Sequence, residues 1–123
     1  MEQLSSLYRR SVVVPKDDGS EKKLRSWYTD KNAQVATLPI NTDTDFYSIY
    51  SSGMFEGLNH LCGAYIDDYE EDCIEPEQLD AAINFLRGQS YVHLSMNVET
   101  FKQQLIALLD YARLARRPVF FVF

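Results

Sequence analysis

Few residues in this chain are equipped for catalysis: two histidines, His60 and His93, and two cysteines, Cys62 and Cys73. Nucleophilic catalysis needs a nucleophile, a base and an orienting group within reach of one another. His60 stands two residues before Cys62, a separation that does not share a helical face. His93 lies in Tyr91-Val92-His93-Leu94, where strand alternation puts it on the Tyr91 face. A Cys62–His93 pair would bring a thiol and a base together, so His60, Cys62 and His93 define the enzyme alternative. No Gly-x-Ser-x-Gly elbow accompanies them. Metal chemistry has less to work with, since Cys-x-x-Cys and His-Glu-x-x-His spacings are absent. The Asp67–Asp72 run lacks the Asp-x-Asp-x-Asp-Gly order and the twelfth-position Glu of a calcium loop. Phosphate-cradling glycine loops are also missing, so no cofactor is expected.

The remaining chemistry is recognition. Tyr65-Ile66-Asp67-Asp68-Tyr69-Glu70-Glu71-Asp72 interleaves two tyrosines with five carboxylates. Tyrosine is a rigid contact anchor and carboxylates accept hydrogen bonds from Lys and Arg, so the pattern suits a cationic protein partner. Asp43, Asp45, Tyr47 and Glu56 form a second acidic group upstream. Both lie in residues 32–86, which hold eleven Asp or Glu and not one Lys or Arg, in a chain of net charge −6. An electronegative face of this kind speeds encounter with a cationic partner, although a merely solvated face has the same composition. With a pI near 4.8, direct nucleic-acid binding is disfavoured because phosphate contacts dominate such affinity. Arg9 and Arg10 with Arg113, Arg116 and Arg117 could form a basic face, but helix-end charge explains the last three.

These side chains must be positioned by one domain spanning 1–123, a size that buries roughly two-thirds of its unfolded surface. Residues 7–14 read as a strand, Asp18-Gly19 as a hairpin turn and 24–29 as the return strand, with a third short strand over 33–38. Thr42 or Asp43 can cap a helix to Ser52 with Phe46, Ile49 and Tyr50 on one face. A second helical piece carries Met54, Leu58 and Leu61. Pro76 opens a helix with a Leu79, Ala82, Ile83, Leu86 stripe ended by Gly88. Tyr91–Leu94 reads as a strand, Asn97 as the cap of a helix to about Arg116, and Val119–Phe123 as a strand apolar on both faces. Strand, helix, strand implies a right-handed parallel βαβ unit. The expected fold is therefore α/β, a mixed sheet combining an N-terminal antiparallel hairpin with a C-terminal parallel βαβ unit, packed by three to four helices.

The segment 64–123 resembles the immunity proteins of bacterial polymorphic-toxin and contact-dependent growth-inhibition systems. The likeness rests on Ile74-Glu75-Pro76-Glu77-Gln78-Leu79 opening one helix and a second helix running into Arg116-Arg117-Pro118-Val119-Phe120-Phe121-Val122-Phe123. It implies a non-enzymatic protein that neutralises a cognate cationic toxin, commonly a nuclease, by covering its active site or an adjacent surface. An acidic adaptor or nucleic-acid mimic is the alternative from another class. The Met1-Glu2-Gln3-Leu4 start has no basic region followed by an apolar run, and the longest apolar stretch falls short of a membrane span, so a cytoplasmic location is expected.

Overall fold

The computed structural model describes residues 1–123. Its centre is a four-stranded antiparallel sheet of order β4-β2-β6-β5, from β2 (Ser11–Pro15), β4 (Val35–Pro39), β5 (Glu71–Ile74) and β6 (Val119–Val122). A two-stranded antiparallel ribbon joins β1 (Glu2–Gln3) to β3 (Tyr28–Thr29). Every residue of β2 and of β6 is buried, which requires cover on both sides of the sheet. Side chains alternate between faces along a strand, and two cores result. Val12, Val14, Val119, Phe121 and Phe123 join the larger core with helices α3 (Asp43–Ser51), α4 (Met54–Cys62), α5 (Leu79–Arg87) and α6 (Met96–Ala115). Val13, Phe120 and Val122 join the smaller one with Leu4 of α1 (Leu4–Tyr8) and Leu24 of α2 (Asp18–Arg25). The architecture is thus three layers with the sheet in the middle.

Several sequence expectations are corrected. The parallel βαβ unit does not exist: β6 pairs antiparallel with β2 through Val12↔Phe121 and with β5 through Cys73↔Phe120. Residues 91–94 are a turn rather than a strand, with Leu94 and Ser95 N–H both donating to the Tyr91 carbonyl at 2.9 and 3.0 Å. Only Tyr91 of that stretch is buried. Four alternating residues are too short to separate strand from turn, and both edges of β6 are taken by other strands. The loop is held instead by Lys102, whose buried ammonium reaches Glu99 at 2.6 Å and the Gln89 carbonyl at 2.7 Å.

The N-terminal hairpin is also different. Asp18-Gly19 lies in the first turn of α2, where Asp17 Oδ1 caps the Ser20 N–H at 2.7 Å. Asp18 and Glu21 at the start and Lys22, Lys23 and Arg25 at the end complement the helix dipole, so 18–25 is helix where a turn and return strand were expected. β2 pairs instead with β4, the expected third strand, in the register Val13↔Thr37. With α1 and α2 the protein has six α-helices rather than three or four. Ser95, not Asn97, caps α6, and the Asp67–Asp72 run enters β5 at Glu71.

The other expected helices are present, although Tyr50 and Leu61 of their apolar stripes are exposed. Thr42 Oγ1 caps α3 by accepting from Asp45 N–H at 3.0 Å. Pro76 opens a single 3-10 turn over Pro76–Gln78 that leads into α5, with a Glu75–Gln78 capping box. Gly57 lets α4 approach α5 so closely that a Cβ at this position would collide with the Phe85 ring. Gln78 Nε2 also donates to the Cys62 carbonyl at 2.6 Å, tying the end of α4 to the start of α5. On the opposite side Arg25 grips both Glu75 oxygens, at 2.9 and 2.8 Å, joining α2 to the end of β5.

Two outcomes follow. Phe121→Ala empties a fully buried site packed on Phe55 and Phe123, so chemical denaturation should show a loss of about 3–5 kcal/mol. The Arg25 hydrogen bonds hold the Glu75 carboxyl below its ordinary value of 4.5. A depressed folded-state pKa contributes stability above the unfolded value, and that contribution is lost as pH falls through the folded one. Arg25→Met should therefore flatten the acid limb of the stability–pH curve below about pH 4.5.

Candidate functional site

The cation-free segment meets two arginines from the N-terminal region. Arg10 is only 8% exposed and sits at a positive φ of 59°. Its guanidinium lies 3.9 Å from the Phe46 ring centroid and 5.2 Å from that of Tyr47. Nη2 donates to Asp68 Oδ1 at 3.1 Å, while Nη1 stands 3.0 Å from Asp43 Oδ1, off the line a hydrogen bond requires. Burial disfavours the charge, yet Tyr47, Asp68 and Asp43 outweigh it and raise the pKa above the ordinary arginine value. Tyr47 completes the cluster by donating its hydroxyl to Asp68 Oδ2 at 3.2 Å. Arg9 stacks on Tyr69, 4.4 Å from the ring centroid.

The loop between α4 and β5 is fixed from its other side as well. Asn59 of α4 clasps the Ile66 backbone, donating to its carbonyl at 2.8 Å and accepting from its N–H at 2.6 Å. Asp72 Oδ2 accepts from Tyr65 N–H at 2.6 Å, and Asp67 Oδ1 accepts from Asp68 N–H at 2.7 Å. Tyr50, Glu56, Asn59 and Asp67 line one depression. Tyr50 of α3 faces Asp67 across it, and that carboxylate raises the phenol pKa.

The two acidic groups expected from sequence therefore form one surface. It carries Asp43, Glu56, Asp67, Asp68 and Glu70, with Tyr47, Tyr50, Tyr65 and Tyr69 all exposed. Five carboxylates face only two guanidiniums there, so the surface stays electronegative after internal pairing. Tyr69 and Tyr65 are its most protruding rings, at 73% and 63% exposure.

Three sequence candidates fall outside it. Asp45 turns toward α6, where Asn97 Nδ2 donates to it at 3.3 Å. Glu71 belongs to β5 and lines a hollow with Gln3, Trp27 and Tyr28. Asp72 is consumed by the Tyr65 and Cys73 backbone N–H groups. Tyr50, Arg9 and Arg10 went unrecognised as site residues. The helical period put Tyr50 on the inner face, and nothing local to Arg9-Arg10 reveals a contact with residues more than fifty positions away. The basic face, disfavoured from sequence, does not assemble: Arg117 binds Asp18 and Glu21 of α2, on a different element from the one Arg9 and Arg10 engage.

The residues of the enzyme alternative are dispersed in character: Cys62 is buried, while His60 and His93 are exposed. Burial raises the Cys62 thiol pKa, and burial followed by the charges of Glu75 and Asp72 pushes Cys73 up to about 11, so both are protonated and weak nucleophiles at neutral pH. No group of three or more His, Cys, Asp or Glu side chains is placed to hold a metal ion. No helix is long and apolar enough to cross a membrane.

Removing Arg10 should release this surface. Arg10→Met keeps most of the packing but leaves Asp68 without its cation, for an expected loss of about 2–3 kcal/mol. Amides of 65–70 should exchange with solvent faster while those of β2 and β6 stay protected, and unchanged exchange in the loop would refute the clamp. No known family model, curated protein or solved structure matches this chain.

Proposed function

We propose that this chain is an immunity protein that captures a cognate cationic toxin, of the nuclease class, on the four-tyrosine acidic face and blocks its active site or the surface beside it. The observation that carries the reading is the convergence of α3, α4 and the 65–70 loop on a single electronegative surface, joined by the Tyr47–Asp68 hydrogen bond and by the depression that Tyr50, Glu56 and Asp67 share. Rigid aromatic anchors combine there with carboxylates that attract Lys and Arg. The loop is held by Asn59, Asp72, Arg9 and Arg10 before any partner arrives, which lowers the ordering entropy lost on binding. A nuclease surface is basic because it handles phosphates, and complementary charge steers encounter. The protein acts by stoichiometric binding, without cofactor or catalysis, in the cytoplasm that the toxin enters.

The structure separates carboxylates held by arginine from those that are not. Asp68 supports the fold through Arg10, whereas Glu56, Asp67 and Glu70 have no cation partner in the chain. The test coexpresses the chain with the basic toxin domain encoded beside it and measures their association. The wild-type chain should restore growth. Glu56→Gln with Asp67→Asn and Glu70→Gln should keep the melting temperature and slow association at low salt by about tenfold. Tyr65→Ala or Tyr69→Ala should act on the off-rate instead, by about 2 kcal/mol for a central anchor. Failure to restore growth, or an association rate and salt dependence untouched by the triple change, would sink the proposal.

A further inference from the structure

The free edge of β4 and the groove beside it take no part in the surface above. In the β2–β4 ladder Lys16 N–H donates to the Gln34 carbonyl and Ile40 N–H to the Arg10 carbonyl, each at 2.8 Å. Antiparallel alternation then turns the backbone groups of Ala36 and Leu38 toward β2 and those of Val35, Thr37 and Pro39 outward. β4 ends the sheet. The opposite edge strand, β5, carries Glu71 and Asp72, and charge protects an edge from pairing; Val35–Pro39 has no charged residue. Next to it a groove of about 490 Å³ runs between β4 and α6, lined by Lys16, Ala36, Leu38, Ala107, Leu108 and Tyr111. Leu114, 71% exposed, extends the same helix face.

We infer that this edge and groove form a homodimer interface. Two copies pair β4 with β4 antiparallel about a two-fold axis at Thr37, which joins their sheets and sets α6 against α6. The self-pairing is favoured by where the donors lie. With the axis at Thr37, each Thr37 N–H bonds the other Thr37 carbonyl and each Val35 N–H meets a Pro39 carbonyl. Both outward donors of each copy are satisfied, and Pro39, which has none, falls at the rim. The charges are self-complementary too. Lys16 is exposed at the Gln34 end of β4, while Asp45 lies beside Asn41 and Gln104 at the Ile40 end. The two-fold brings each Lys16 toward the other copy's Asp45. The groove lining has no carboxylate, so no like carboxylates are brought face to face within it. A C2 interface of this kind uses the same patch on both copies.

Sedimentation equilibrium of the full chain from about 1 to 100 μM tests the dimer, because a reversible dimer responds to concentration. The mass should approach twice 14.2 kDa at the upper end. Ala107→Glu puts a carboxylate on an exposed helix position at the groove and should give a monomer that melts where the wild-type chain does at the dilute, monomeric end of that range. Thr37→Pro removes the axial donors and should do the same. Lys16→Glu should weaken association about tenfold, with recovery in Lys16→Glu/Asp45→Lys. A wild-type chain that stays at 14.2 kDa throughout, or a dimer that survives Ala107→Glu, overturns the inference.

Discussion

Strand β6 is apolar on both faces and bonded on both edges, and the rest of the molecule is arranged around that fact. Val119, Phe121 and Phe123 face one core while Phe120 and Val122 face the other. A strand of this kind cannot lie on a surface, so the sheet needs helices above and below it. Four helices cover the larger side. The smaller side is closed by α1, α2 and Trp27, whose ring meets Phe120 edge-on at 5.3 Å. Phe123 also joins the central sheet to the candidate surface, since its ring packs edge-on against Phe46 at 5.2 Å and its N–H donates to the Glu70 carbonyl.

Arg10 extends this dependence outward. Phe46 presents one side of its ring environment to Phe123 and accepts the Arg10 guanidinium over its face. A buried cation is tolerable only when paired, and the 55 residues without Lys or Arg supply the carboxylates that pair it. The charge asymmetry of the chain is therefore partly structural. Asp68 and Asp43 answer Arg10, and Glu75 answers Arg25. Cations from residues 1–31 thus hold acids from residues 32–86 and bind the two halves of the fold together. On the four-tyrosine surface, Glu56, Asp67 and Glu70 are left without a cation after that pairing.

The geometry also divides labour between backbone-holding and outward-facing polar groups in one short loop. Asn59 satisfies the part-buried Ile66 N–H and C=O, which would otherwise be left unpaired near the core, and Asp72 accepts from the exposed Tyr65 N–H. With those needs met, the tyrosine rings point into solvent from a fixed backbone. Residue type alone does not distinguish Asp72, which serves the backbone, from Glu70, which is exposed.

Sequence by itself determined the helices that have local signals and the strand that has no alternative. Thr42 before an i, i+3 apolar pair, Pro76 before the Leu79–Leu86 stripe, and the five-residue apolar run after Pro118 each depend on neighbours within a few positions, and each was legible. The acidic, tyrosine-bearing segment was legible for the same reason. Strand direction, partner choice and the assembly of the surface were decided only by tertiary structure. Whether β6 runs parallel or antiparallel depends on which edges β2 and β5 occupy, about 45 to 110 residues away along the chain. Asp18-Gly19 became a helix start because Asp17 found the Ser20 N–H and Arg117 found Asp18, and the second contact spans 99 residues. Arg10 reached Asp68 across 58. Local propensity fixes what can form within a turn or two, but contacts across such separations exist only once the cores on both faces of the sheet have closed.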